Sequence, residues 1–206
     1  MGPRLLKRVR YLAETYAFKA PFLEIGAAAN DHAVLAGEYF RSGERHALAR
    51  RERPQAESIQ FHAAKDIHDL GDTFRAGQFG SVIISSWLEH DHAFWLSMAE
   101  VKRILAPRGL VLLCVPAFTL GEQAAPSPGG GSDDEEVAEP EGASAKKHRV
   151  PRGNSVAETL AMIGPRDYWR FSAQAVRTAL LEGFEVLSLD QFLTPPRLLA
   201  IGQKLA

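Results

Sequence analysis

Three short stretches hold the residue types from which a ligand site or a reaction is built. Glu24-Ile25-Gly26 closes an apolar run on an acid and a glycine. At the carboxyl edge of a parallel sheet, such a turn brings backbone close to a nucleotide-like ligand, while the next helix N-terminus offers N–H donors. Glu24 has a plainer use as well, capping the following helix or pairing with an arginine. A dinucleotide fingerprint is absent, since Gly26 is followed by Ala27, Ala28, Ala29 and Asn30, so a nicotinamide-dependent oxidoreductase is poorly supported. His90-Asp91-His92 invites a metal reading, but no third ligand stands nearby, and Asp91 before a helical run reads better as an N-cap. No metal site is expected. Asp167 and Arg170 read equally as a structural ion pair and as part of a reactive site.

The elements that must position these residues follow from the hydrophobic pattern. Phe22–Ile25 reads as a short buried strand, and Ala27 to Phe40 as helical. Weaker strands are expected at His46–Arg50 and Ser58–His62, and stronger ones at Phe79–Ser85 and Leu110–Val115. A helix is expected from about His92 to Leu105, with Trp87, Phe94 and Trp95 as packing aromatics, and Pro107-Arg108-Gly109 as a turn. Ser172 caps a helix over Ala173–Leu181 that Gly183 ends, and Phe184–Leu189 and Leu198–Ile201 read as two final strands. Strands alternating with helices, apolar throughout rather than alternately, indicate a parallel sheet covered on both faces.

The chain has 206 residues and a net charge of -1, enough for one domain with a substantial core and no basic field for nucleic acid. The single cysteine, Cys114, excludes an internal disulfide and a cysteine zinc cluster; it reads as a buried, inert thiol in a reducing, cytoplasmic setting. No apolar run reaches the ~18 residues of a membrane helix. The basic, amphipathic N-terminus places Leu5, Leu6, Val9, Leu12 and Ala13 on one face, and reads as a first helix covering one edge of the sheet. From Gly121 to about Val156 the composition changes to proline, glycine, an acidic run (Asp133–Glu136) and a basic run (Lys146–Arg149). With almost no large apolar residue, 121–156 reads as a disordered insertion within a single domain spanning 1–206; its charge runs read better as a solvated loop than as a docking element for a protein partner.

From Phe79 to Pro116 the order Leu88-Glu89-His90, Arg103-Ile104-Leu105, Pro107-Arg108-Gly109 and a Pro-ended strand resembles class I S-adenosylmethionine-dependent methyltransferases of the type 11 group. "FLEIGAAAN" stands where that family's first cofactor motif belongs, and "DYWRFSAQAVRTALLEGFEVLSL" resembles its late segment. The resemblance implies an α/β, Rossmann-like three-layer sandwich, with a mostly parallel seven-stranded sheet and a C-terminal antiparallel hairpin. It implies S-adenosyl-L-methionine as cofactor, and a small-molecule or glycan-like methyl acceptor. Glu24, Gly26 and Ala27 would line the cofactor's methionine end, Asp66 and Ile67 would flank adenine, and Ser85, Ser86, Trp87 and Leu88 would border both. His90 and Asp167 are the general-base candidates for a hydroxyl acceptor.

Three positions depart from the family pattern. Gly26 is followed by alanines, no carboxylate stands within Ala47-Leu48-Ala49-Arg50-Arg51 to grip the ribose, and the usual Phe-Asp is Phe79-Gly80. They keep open a catalytically weak or inactive binding module of the same fold.

Overall fold

The computed structural model describes residues 3–26, 34–49, 59–63, 67–118, 168–193 and 196–206. The apolar runs become strands β1 (Phe22–Ile25), β2 (Arg45–Ala49), β3 (Gln60–Ala63), β4 (Phe79–Ser85), β5 (Leu105–Pro116), β6 (Phe184–Leu193) and β7 (Pro196–Lys204). They form one sheet in the order β3-β2-β1-β4-β5-β7-β6. The first five run parallel, whereas β7 pairs antiparallel with both β5 and β6. The chain is thus an α/β, Rossmann-like sandwich whose mostly parallel seven-stranded sheet ends in an antiparallel hairpin, as the resemblance implies.

The central strands are apolar on both faces because a core lies on each side. Helix α1 (Pro3–Thr15) buries the expected stripe of Leu5, Leu6, Val9, Leu12 and Ala13. That stripe joins Phe22, Ile83, Leu112, Cys114 and Ile201 of the inner strands, so α1 covers a face of the sheet rather than the expected edge, and Arg8 bonds Asp190 of the edge strand β6 at 3.0 Å. On the opposite face, Met98, Val101 and Ile104 of helix α2 (Phe94–Ile104) pack with Val82, Ile84, Val111 and Leu113. The Ser172 hydroxyl accepts the Ala175 N–H at 3.0 Å, opening the helical turns Ala173–Ala175 and Val176–Leu180; the second is a π-turn, so the expected single helix is split.

Two further elements differ from their sequence patterns. In place of a helix up to Phe40, the described residues form two 3-10 turns, Val34–Ala36 and Glu38–Ser42. Gly37, extended at ψ 149°, interrupts helical continuity between them. The turn expected at Pro107-Arg108-Gly109 is a bulge within β5: Phe79 pairs with Leu105, Ser81 with Leu110, and Arg108 takes φ 60°. β5 therefore begins at Leu105, directly after α2.

The sheet lies in one compact unit, 1–118 with 166–206. Residues 119–165 make up the other unit; they lie outside the described residues, and with them the expected insertion. Among the described residues no helix is long and apolar enough to cross a membrane.

Candidate functional site

Parallel pairing sends the C-terminal ends of β1, β4 and β5 to one edge of the sheet, where ligands of open α/β folds bind. Gly26 stands at the end of β1 with φ 83°, and its N–H donates to Leu48 O at 3.0 Å. A Cβ there would lie 2.2 Å from Ser85 O and 3.4 Å from Trp87 Cβ, so the turn admits glycine alone. Gly26, Ser85 and Trp87, far apart in sequence, are brought together by this close approach. Ser86 follows with φ 51°, its N–H donating to Cys114 O at 3.2 Å. Trp87 and Leu88 are buried in the core on the α2 side, as is Ile67.

Glu24 is 1% exposed and points to the opposite face, where its carboxylate accepts the Leu35 N–H at 3.1 Å. Burial pushes its pKa up to about 7, against the pull of the Val34 and Leu35 N–H groups and the Arg10 charge. Arg10 itself donates to Val34 O at 3.2 Å. The acid thus caps the 3-10 turn Val34–Ala36, in the plainer of its two expected uses. Ala27, Asp66 and Asp167 lie outside the described residues.

After β4 comes the 3-10 turn Leu88–His90, with the His90 N–H returning to Trp87 O at 3.0 Å. Asp91 is a buried hub. It accepts the Ala93 N–H at 2.9 Å, His68 Nε2 at 2.8 Å, and the Ser97 hydroxyl through a short bond. Burial raises its pKa, but Ser97, Ala93 and His68 together hold the carboxyl below its usual range. Asp91 therefore braces the entry to α2 from two residues before the cap position, Ala93, rather than capping the helix itself. Its main-chain carbonyl accepts the Trp169 indole N–H at 2.7 Å, tying in the chain that returns after 167. Among the described residues no group of three or more His, Cys, Asp or Glu is placed to hold a metal.

Glu89 binds the same returning chain, its carbonyl accepting the Tyr168 and Trp169 N–H groups at 2.7 and 3.3 Å. Its carboxylate takes Arg197 Nη1 of β7 at 3.1 Å. Sequence reading had no access to Glu89–Arg197 or His68–Asp91–Ser97 as sites, because their members come from separate elements. Trp87 is a core aromatic as expected, but Trp95 is not: it is 54% exposed, with its ring 5.3 Å from that of Phe94. The exposed rings of His92 and Tyr168 lie 6.3 Å apart on the same edge. Arg170 donates to Trp169 O at 2.8 Å, and its expected partner Asp167 lies outside the described residues. Cys114 is the buried thiol expected, its pKa pushed up to about 11 chiefly by burial.

Gly80 has its own structural reason. A Cβ there would stand 2.6 Å from Lys19 O and 2.8 Å from Ala20 O, so the acid of the Phe-Asp pattern has no room.

No protein-family model matches the chain, and no curated protein matches it in sequence. Solved structures do. A 1,6-didemethyltoxoflavin N1-methyltransferase of Burkholderia thailandensis, with S-adenosylhomocysteine bound, is 17% identical over 98% of this chain and 78% of its own, with TM-score 0.61. Magnesium protoporphyrin IX methyltransferase from Synechocystis is 10% identical, covering 98% and 82%, with TM-score 0.59. The N-methyltransferase NodS of Bradyrhizobium japonicum is 13% identical, covering 98% and 86%, with TM-score 0.58. At these identities the likeness establishes the fold, that of the class I methyltransferases.

Proposed function

We propose that the chain is an S-adenosylmethionine-dependent methyltransferase acting on a small-molecule or glycan-like acceptor. The observation that carries this is the Gly26 turn, pressed against the end of β4 in a sheet of class I order. The residues fit the cofactor. Bare backbone at Gly26 allows close approach, and Glu24, an acid poised near neutrality beneath it, suits the cofactor's amino group. Glu24, Gly26 and Ala27 would hold the methionine end, Asp66 and Ile67 the adenine, and Ser85, Trp87 and Leu88 the space between. When bound, the cofactor supplies a methyl group on a positively charged sulfur.

The protein's own contribution is to orient a nucleophile against that methyl and to keep water out. His90, beside the end of β4, and Asp167 take the proton where the acceptor is a hydroxyl. The acceptor reaches the carboxyl edge within a single domain. The charged run 121–156 serves as a docking arm for a protein partner, and the free thiol of Cys114 suits the cytoplasm.

A second reading, a binding module with little or no catalysis, is favoured by two features. β2 ends at Ala49 with no carboxylate from Ala47 to Arg51, and the Glu24 carboxylate is already engaged by Leu35. Calorimetry with S-adenosylmethionine, S-adenosylhomocysteine and NAD separates the readings. Saturable binding of the first two, lost in Glu24→Ala, supports the enzyme. No binding at millimolar ligand leaves the module, and binding of NAD alone points to an oxidoreductase.

A further inference from the structure

Glu89 lies at the carboxyl edge, four positions beyond the end of β4, and is 3% exposed. Its carbonyl is fixed by Tyr168 and Trp169, and its Oε1 by Arg197. The other carboxylate oxygen, Oε2, is buried and has no hydrogen-bond partner among the described residues. A buried carboxylate oxygen left unpaired destabilises a fold, and an ionised carboxylate can only accept. Arg197 already spends its charge on Oε1.

We propose that Glu89 anchors the methyl acceptor and that the acceptor presents an amine nitrogen to its free oxygen. The anchor rests on the methyltransferase reading above. An N–H donor completes the carboxylate's hydrogen bonding, and the negative charge favours the positive charge that a nitrogen carries once alkylated. A hydroxyl would satisfy the same oxygen without that second gain, and a carboxylate would be repelled by it. Glu89 is thus the counterpart of Glu24: one acid lies on β1 and the other beyond β4, each buried at the same edge.

The test uses protein saturated with S-adenosylhomocysteine, titrated calorimetrically with benzylamine, benzyl alcohol and benzoate. Benzylamine binds saturably, the alcohol at least about tenfold more weakly, and benzoate not at all. Glu89→Gln weakens benzylamine by at least about tenfold, while affinity for S-adenosylhomocysteine changes by less than about twofold. A melting curve checks that the variant is folded. If it is not, Glu89→Asp, which keeps the charge and draws the oxygen back, carries the same expectation. The anchor is overturned by preference for benzoate, by equal binding of amine and alcohol, by equal benzylamine affinity in wild type and variant, or by no benzylamine binding. Should S-adenosylhomocysteine itself fail to bind, the methyltransferase reading falls, and the same titration of unliganded protein decides the anchor alone.

Discussion

At Glu24, burial sets stability in opposition to the proposed cofactor role. The carboxyl titrates near 7 in the folded chain against an ordinary 4.5. Between these values the folded protein keeps a proton that the unfolded chain releases. The stability this contributes is fully present below pH 4.5 and is lost as pH rises through 7, on the order of 3 kcal/mol. Glu24→Gln, which keeps an acceptor for the Leu35 N–H, therefore flattens stability across this window and melts above wild type at pH 8. Calorimetry reads the other half: affinity for S-adenosylhomocysteine rises with pH through 7 in wild type and stays low and flat in the variant. Gly26 has no such latitude. Gly26→Ala forces a Cβ against Ser85 O and a side chain into φ 83°, for a loss of roughly 2–5 kcal/mol in denaturant unfolding.

At the scale of elements, the strands are held at the margins by contacts that composition does not advertise. The edge strand β3 is pinned to β2 by His62 Nε2 and His46 Nδ1, 3.0 Å apart, with His46 Nε2 on Glu44 at 2.9 Å. Phe74 and Phe79 close around the pair. Burial, then the neighbouring His46, lowers the His62 pKa below 6.5, so the unfolded chain takes up the proton more readily than the folded one. Its contribution is present above pH 6.5 and drains away as pH falls, and amide exchange over Gln60–Ala63 should quicken at pH 5 before the rest of the sheet opens. In His62→Phe that selective loss disappears. β4 is constrained differently. Gly80→Asp, which restores the family's acid, sets a carboxylate against the Lys19 and Ala20 carbonyls and lowers the melting temperature without tightening S-adenosylhomocysteine binding.

For the whole molecule, the chain leaves and re-enters the sheet at one place. Ala117 bridges Phe171, and the Phe118 N–H donates to Phe171 O at 2.8 Å. Replacing Gly121–Arg149 with a short glycine–serine linker should thus leave the melting temperature within about 2 °C of wild type, and S-adenosylhomocysteine affinity unaltered. A large drop in either would show that the segment is packed into the fold. Strand positions, the two covered faces and the α1 stripe were legible in the sequence, because burial on both sides of a parallel strand demands continuous apolar residues and a helix face repeats every 3.6. So were the Ser172 cap and the Gly26 turn, which are local. Other features depended on partners distant in sequence. Gly37 broke a helix that its neighbours favour, and Trp95 turned outward because α2 is rotated to bury Met98 and Val101. The sequence by itself determined which residues form the strands and which of them ends on a glycine turn, since those properties are periodic or local. Only the tertiary structure decided that Glu24 caps Leu35, that Asp91 holds His68 and Ser97, and that Glu89 meets Arg197 with one oxygen unpaired. Burial and hydrogen bonding across as many as 182 residues of chain, as between Arg8 and Asp190, are set by how elements pack, and no short window of sequence encodes them.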